Sequence, residues 1–464
     1  MGDVHHPPHA ATAPCRPVKN IRLALAGLLL ALLLLWALSD PVFHTVPSVL
    51  GLRNGVLVGS GVLAIGMMAA ALLLATRPVW AEPWLGGLDK MYRLHRWLGM
   101  GVAAAALLHW LAVQAPGWAV DAGLWQRPPR GPRPGAADGQ QDGLQAVWQT
   151  LREPAEAIGE WAFYALLVLL ALALIPRFPY RLFFRTHRLL ALAYGALVVH
   201  AVLLLPPPLW LAPLGLPLAL LMGAGLVAAG LLLTRRAGHS RRAVAQVQTV
   251  LQHPDSGVLE LGLQLHSRWL GHRPGQFAFL RFGADEGPHP FTITSSWRGD
   301  GELRFLVKAL GNFTRRLPGL VAVGDLVRVE GPYGRFNFDS NRERQVWVGG
   351  GIGITPFIAR LQQLAAWPDG RPVDLFYSTS LLDTAGVAAL QADALAAGIT
   401  LHVLVDGQDD RLSAEGIRRA VPDWCSGSVW FCGPAAFGAA LRRDMLALGL
   451  ARGAFHQELF ALRG

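Results

Sequence analysis

Hydrophobic and polar positions divide the chain near residue 240. Before that point apolar residues run together, and 97–120, 161–176 and 189–234 contain no Asp, Glu, Lys or Arg. A helix crossing the hydrocarbon core of a bilayer needs about 20 apolar residues, since every peptide group there must be satisfied within the segment. Six spans are predicted, near 22–39, 55–76, 91–114, 159–176, 183–205 and 209–234. The fourth is short and must borrow from its flanks. Pro206-Pro207-Pro208 cannot continue a helix and predicts a tight turn before the sixth. Past 240, alternating runs at 243–251, 258–266, 276–282, 291–297 and 303–310 predict strands of an antiparallel barrel. From about 344 strands and helices alternate: 345–348, 355–366, 373–377, 384–397, 401–405, 429–432 and 435–448. That rhythm predicts a parallel sheet covered on both faces.

The expected organisation is a flexible tail (1–20), a six-helix transmembrane bundle (21–236), an antiparallel β-barrel (240–338) and an α/β parallel-sheet domain (343–464). The composition agrees. Of 464 residues, 52% are hydrophobic and 16% charged, against roughly 25% charged in an average soluble protein. Disorder and nucleic-acid binding do not fit that balance. Three cysteines are too few for a disulfide framework or a four-thiolate iron–sulfur cluster.

The net charge of +10 matters less than where it lies. Arginine and lysine crowd the N-terminal tail (Arg16, Lys19, Arg22), the second-to-third connection (Arg77, Lys90, Arg93, Arg96), the fourth-to-fifth (Arg177, Arg181, Arg185, Arg188) and the segment after the sixth span (Arg235, Arg236, Arg241, Arg242). The opposite connections carry Arg53, nothing, and a 115–160 loop whose four arginines are offset by six acids. This bias predicts both termini in the cytoplasm. A signal peptide is an alternative reading of the first span, although its apolar run is long for one. His5, His6 and His9 give the tail a weak metal-binding character.

Four histidines fall in the spans: His95 and His109 in the third, His187 and His200 in the fifth. Ionisable groups in a membrane are costly and mark function. Fourteen residues separate His95 from His109, nearly four whole turns or ~21 Å of rise, so both rings leave one face. With the third and fifth spans both running outward, His95 sits level with His187 and His109 with His200. Each level then offers two imidazoles, a set suited to a haem iron ligated from both sides. The thirteen-residue step from His187 to His200 leaves those rings roughly 140° out of phase on an ideal helix. Either a π-bulge or local unwinding corrects this, or two haems approach from different sides. Arg93, Arg96, Arg185 and Arg188 serve topology and are also placed to pair with haem propionates.

Three motifs mark the soluble half. His289-Pro290-Phe291-Thr292-Ile293-Thr294-Ser295-Ser296 is followed by Lys308 and by Gly311-Asn312-Phe313-Thr314. Together they offer the ring contact, hydrogen-bond donor, cation and helix opening that a flavin needs. Gly349-Gly350-Gly351-Ile352-Gly353-Ile354-Thr355-Pro356 follows an apolar strand and opens a helix, the setting in which glycines let a backbone approach a pyrophosphate. Cys432-Gly433-Pro434 ends a strand of the same sheet; Cys432 is either part of a nucleotide site or a small buried residue.

In this order the motifs resemble the ferric reductase and NADPH oxidase superfamily of transmembrane flavocytochromes. The resemblance implies two b-type haems, ligated by His95, His109, His187 and His200, in a ferric-reductase-like domain. It also implies a ferredoxin-NADP⁺-reductase-like module that binds FAD and NAD(P)H, so that the barrel is its FAD domain and the α/β unit its nucleotide domain. The residues carried over to those cofactors are His289, Pro290, Phe291, Thr292, Ser295, Ser296, Lys308, Gly311, Phe313 and Thr314 for FAD, and Gly349, Gly350, Gly351, Gly353, Thr355, Pro356, Cys432, Gly433 and Pro434 for the nucleotide. Thr292, Cys432, Glu458 and Phe460 are the expected reactive-centre residues, Phe460 as an aromatic shield over the flavin or else a core residue.

The implied function is electron transfer from NAD(P)H across a bacterial-type inner membrane to oxygen or a ferric chelate. A membrane or periplasmic redox partner is a competing acceptor. A haem-binding sensor with a non-functional reductase module is an alternative from another class. Tyr377-Ser378-Thr379-Ser380 leaves NADPH and NADH both open, with no arginine in that run to pair with a 2′-phosphate.

Overall fold

The computed structural model describes residues 17–43, 48–125, 143–175, 177–283, 287–381 and 383–457. Nine helices come first among these: α1 (Pro17–Ser39), α2 (Val49–Ala75), α3 (Ala81–Leu85), α4 (Leu88–Asp121), α5 (Gly143–Leu174), α6 (Tyr180–His187), α7 (Leu189–Leu204), α8 (Pro207–Leu211) and α9 (Gly215–Leu233). Six stretches are long and apolar enough to cross a membrane: Asn20–Ser39, Val49–Ala75, Leu88–Asp121, Thr150–Leu174, Tyr180–Leu204 and Gly215–Leu233. Trp80 and Trp84 stand exposed beside and on α3, where interfacial aromatics anchor membrane proteins.

The fourth span borrows from its N-terminal flank, as its shortness required, since α5 begins at Gly143. Three expectations need correcting. The expected 115–160 loop shrinks, because α4 continues to Asp121 before α5 starts. Pro207 and Pro208 open a short helix instead of only turning the chain, and the sixth span starts later, at Gly215. Proline is tolerated in a first helical turn, where its missing N–H has no partner to lose. The fifth span is divided at Arg188 into α6 and α7.

The bundle is built around α2, which packs on α1, α4, α7 and α9. Its buried residues include Gly55, Gly59, Ser60 and Gly66. A methyl group on Gly59 would lie 2.7 Å from the Trp36 ring of α1, so the small side chain sets how near the helices come.

The barrel strands are β1 (Arg242–His253), β2 (Val258–Leu265), β3 (Phe277–Phe282), β4 (His289–Thr292), β5 (Glu302–Lys308) and β6 (Leu326–Tyr333), with α10 (Asn312–Arg316) after β5. They form an antiparallel sheet in the order β4-β3-β6-β1-β2-β5. An Ile293–Phe305 bridge joins its two edges. β6 is a central strand absent from the expected alternating runs, because Gly331-Pro332 obscures the alternation of Val327 and Val329 with charged neighbours. The expected strand 291–297 is also corrected: pairing starts at His289 and ends with the Ile293 bridge.

β3 reads as an almost continuous apolar run because both faces are covered. Ala278, Leu280 and Phe282 enter the barrel core, whereas Phe277 and Phe279 join Tyr333 against the membrane bundle.

The last unit holds β7 (Gln345–Gly350), α11 (Thr355–Ala366), β8 (Val373–Thr379), α12 (Thr384–Ala396), β9 (Thr400–Val405), α13 (Ala414–Ala420), β10 (Ser428–Cys432), α14 (Ala435–Ala447) and β11 (Phe455–Gln457). Its parallel order is β11-β10-β7-β8-β9. The chain reverses direction across the sheet between β7 and β10, and α/β ligands bind at such a switch point.

Two buried carboxylates join barrel to bundle. Glu330 of β6 takes Arg77 at 3.0 Å and Arg242 at 3.1 Å, with the Tyr333 hydroxyl donating to it at 2.8 Å. Glu82 of α3 takes Arg241 at 3.0 Å and accepts the Gly334 amide at 2.9 Å. Breaking such a pair leaves guanidinium charge poorly matched and costs about 3–5 kcal/mol. Glu330→Gln is therefore expected to lower the urea midpoint of the detergent-solubilised chain and to speed protease cleavage within 234–241. Wild-type cleavage kinetics would show that this pairing does not hold the junction.

Candidate functional site

The histidines meet in two pairs. His95 and His187 have ring centres 5.9 Å apart with planes at 66°, and His109 and His200 are 6.2 Å apart at 77°. An iron held ~2 Å from one nitrogen of each ring would place the centres about 6 Å apart. Among the described residues no group of three or more His, Cys, Asp or Glu is arranged for a metal, so each pair is a two-ligand set. The thirteen-residue step is accommodated at Arg188, where the helical ladder is interrupted and the Ala191 amide bonds the Arg188 carbonyl at 3.1 Å. That i→i+3 bond tightens the helix over one turn, Arg188 itself keeping helical dihedrals, and both rings meet histidines of α4.

Three of the rings are tied through Nδ1 to a backbone carbonyl: His95 to Ala71 at 2.9 Å, His109 to Leu57 at 2.9 Å and His200 to Ala155 at 2.8 Å. A carbonyl only accepts, so Nδ1 carries the proton and Nε2 keeps its lone pair. This is the tautomer a metal-binding imidazole requires, and the second bond also orients the ring. Four residues beyond each accepting carbonyl stands a small side chain: Ala75, Gly61 and Gly159. A methyl on Gly159 would come within 2.0 Å of His200 Nδ1. The glycine exposes the carbonyl that sits one turn before it.

Arg53 lies beside the outer pair. Pro116 within α4 has no N–H for the Ala112 carbonyl, and Arg53 Nε donates to that oxygen at 2.9 Å. Its guanidinium is near enough to act on His109 electrostatically. Sequence reasoning read Arg53 only as a loop charge and missed the three small residues. A proline 63 residues away and a spacing of four were the available signals.

In the barrel, β4 brings His289, Pro290, Phe291 and Thr292 onto one half-buried edge. The chain then runs against α11, where the Ser296 amide donates to Gln362 Oε1 at 3.3 Å. Ser295 Oγ accepts the Arg304 amide at 3.1 Å. Thr294 Oγ1 and Ser296 Oγ are buried without a hydrogen-bond partner among the described residues, a costly state that a polar ligand would relieve. His289 and Phe313 stack face to face, 3.7 Å apart at 4°. Lys308 ends β5 near this edge, and Thr314 Oγ1 accepts the Leu310 and Gly311 amides, so that threonine shapes the turn. The helix that Gly311 opens has only five residues.

At the switch point Gly349 and Gly350 end β7, Gly351–Ile354 forms a tight turn, and Thr355 and Pro356 begin α11. Cys432 lies in register with Gly349. A methyl on Gly353 would sit 2.2 Å from the Cys432 carbonyl, whereas Gly351, at φ +56°, faces open space. Gly353 is thus a packing residue and Gly351 leaves room for a ligand. Cys432 is 2% exposed and packs in the core near Trp347 and Trp430, with Gly433 and Pro434 capping the strand end. Glu458 and Phe460 lie outside the described residues, as do residues 1–16 with Cys15 and the tail histidines. The described chain ends on β11, whose Gln457 is level with Phe431 of β10.

Residues 60–198 match the family described as ferric reductase like transmembrane component, and 242–337 match an FAD-binding domain. Flavohemoprotein of Bordetella pertussis is 30% identical over 220 residues, 41% of this chain and 53% of that protein. The toluate 1,2-dioxygenase electron transfer component of Pseudomonas putida is 26% identical over 238 residues, 49% of this chain and 69% of that one. The chain spans about half the length of the curated flavohemoproteins it matches. A crystal structure of flavohemoglobin from Malassezia yamatoensis aligns with a TM-score of 0.45 at 20% identity, covering 86% of this chain and 96% of that one.

His456 on β11 stacks on Trp430, 4.1 Å apart at 12°. Burial, reinforced by the nearby Lys90 charge, pushes its imidazole down to about 4. The folded state holds it neutral, while the unfolded chain takes up a proton near its ordinary value of 6.5. Stability from this site is therefore complete above 6.5 and declines as pH falls towards 4. Hydrogen exchange at 429–431 and 455–457 should accelerate over that window, and His456→Phe, which keeps the stack, should flatten the dependence. An unchanged slope in the variant would show that another group titrates.

Proposed function

The chain belongs to the ferric reductase and NADPH oxidase superfamily of membrane flavocytochromes, and on that premise we propose that it carries electrons from NAD(P)H, by way of FAD and two b-type haems, to an acceptor across the membrane. The observation that carries this reading is the pair of two-histidine sites at iron-ligating separation, with Nδ1 of three rings committed to backbone carbonyls. His95 and His187 hold the inner haem; His109 and His200 hold the outer one. When bound, FAD accepts a hydride and releases electrons singly, and each haem iron takes one electron at a time.

The residues of this chain hold and orient those groups. Phe291 offers a ring contact, and Thr292 a hydrogen bond towards the flavin's reactive nitrogen. His289, Pro290, Ser295 and Ser296 line the same edge, and Thr294 Oγ1 and Ser296 Oγ gain the partners they lack. Lys308, with the turn formed by Gly311, Phe313 and Thr314, would hold the pyrophosphate of FAD. Gly351 would receive the dinucleotide at the switch point, with Gly349, Gly350, Gly353, Thr355 and Pro356 packing the turn that presents it. Gly433 and Pro434 would border the nicotinamide above the packed Cys432, and Glu458 and Phe460 stay the sequence's candidates for the reactive centre, Phe460 as the flavin's aromatic shield.

The arginine distribution supports a cytoplasmic side for the tail and both soluble domains, with the bundle in a bacterial-type inner membrane as part of the same reading. The acceptor is oxygen, reduced to superoxide, or a ferric chelate. Arg53 supplies positive charge at the outer pair, which favours an acceptor that is anionic or becomes so on reduction.

An anaerobic absorbance spectrum of purified, FAD-supplemented protein, taken before and after NADPH and then NADH, tests the whole route. A b-type haem band that appears and becomes reduced is the expected result. Fully folded protein without haem would end the four-histidine reading. His109→Ala should halve the haem content and leave flavin bleaching intact. Gly159→Leu should do the same, because its side chain occupies the place of the His200 ring; unchanged haem in either variant would contradict the ligand assignment.

A further inference from the structure

A column of five aromatic rings leads from the flavin-binding edge of the barrel to the inner histidine pair. Phe313 stacks on His289 at 3.7 Å, His289 meets Tyr180 at 5.2 Å and 38°, and Tyr180 faces Phe183 at 6.4 Å and 27°. Phe183 stacks on His187 at 4.9 Å and 19°, and His187 meets His95 at 5.9 Å. Tyr180, Phe183 and His187 are spaced i, i+3, i+7 on α6 and so form one stripe of that helix. The stripe crosses from the barrel to the iron-ligand position within two helical turns.

The contact with the barrel is built closely. Tyr180 donates its hydroxyl to the Pro288 carbonyl at 3.0 Å. A methyl on Gly287 would lie 2.8 Å from the Tyr180 ring, so glycine there lets the β4 entry approach α6. The other aromatic group at the junction ends differently: Phe277, Phe279 and Tyr333 pack under the guanidinium groups of Arg77 and Arg241. That second group is part of the ionic clamp.

We propose that Tyr180 and Phe183 are positioning residues that fix the flavin edge of the barrel relative to the inner pair and hold the His187 ring in its ligating orientation. This rests on the reading of His95 and His187 as haem ligands. The reductant is NAD(P)H; two electrons leave it with the hydride, and each inner iron(III) that becomes iron(II) takes one of them. Neither Tyr180 nor Phe183 is oxidised or reduced in net terms. Their work is to keep donor and acceptor at one separation, and a misplacement of ~1 Å in such a geometry costs up to about 100-fold in rate.

The test uses the full FAD- and haem-loaded chain in detergent with NADPH under anaerobic stopped flow, following flavin bleaching and haem reduction separately. Tyr180→Leu and Phe183→Leu are expected to leave flavin bleaching unchanged and to slow haem reduction roughly 10- to 100-fold. Tyr180→Phe, which keeps the ring, should restore most of the rate. Gly287→Ala, which removes no ring but forces the surfaces apart, should slow haem reduction as well. A second readout needs no turnover: in the resting protein, Phe183→Leu should alter the inner haem's electron paramagnetic signal and leave the outer signal as it was.

Wild-type haem reduction in both leucine variants, with full haem content, would overturn the proposal. Should Phe183→Leu lose the inner haem altogether, Tyr180→Leu and Gly287→Ala decide, since neither touches His187. Absence of haem from the wild type would instead overturn the ligand reading beneath it.

Discussion

A buried carboxylate at the boundary between two solvents is the constraint on which the rest of this molecule depends. Glu330 projects from the barrel into the foot of the membrane bundle, where a lone charge would be prohibitively desolvated. It is satisfied from both sides, by Arg77 at the end of α2 and by Arg242 at the start of β1. Arg77 adopts φ +58°, a left-handed conformation that non-glycine residues avoid. Glycine would close the helix more easily but would bring no guanidinium to Glu330. Arg235 ends α9 in the same way, and its carbonyl accepts from Arg242. Both helices that feed the junction thus end in a strained arginine whose side chain or carbonyl is used there. With Glu82 and Arg241 added, the barrel has one defined seat, and only then can β4 meet α6 in one register.

The membrane half follows a second rule, that a buried ring nitrogen must find a partner. Three of the histidines use the backbone, and Ser60 Oγ adds a longer contact to His109 at 3.4 Å. An α-helix shields its carbonyls behind the side chain one turn later, and only a small residue leaves them open. Gly61, Ala75 and Gly159 are the sites where α2 and α5 allow this. The same residues bring the helices together, so ring orientation and helix packing are one property. The break at Arg188 belongs to this logic: a regular helix through 187–200 would point one of its two rings away from α4.

The soluble half meets its constraint at the β7–β10 crossing, where two turns approach backbone to backbone and glycine at 353 is required sterically. Much of the glycine run is there to pack the turns together, leaving Gly351 open towards a ligand. Cys432 is consumed by the same packing. A motif read along the chain as one binding loop divides, in space, into packing residues and open ones.

The sequence by itself determined the two-solvent division, the six apolar spans, the antiparallel and then parallel sheets and the four histidines at two levels, because periodicity and charge act locally and survive in a linear reading. It did not reveal β6, whose glycine and proline mask a central strand, or the division at Arg188. Nor did it reveal the extent of α4 and α5, which carry Pro116 and Pro154 within helices. Only the tertiary structure paired Glu330 with Arg77 across 253 positions, turned Arg53 towards a carbonyl freed by Pro116, and aligned Phe313 through His289 and Tyr180 with His187. Those contacts join residues remote in sequence, and their partners are chosen by burial and shape, which no local pattern records.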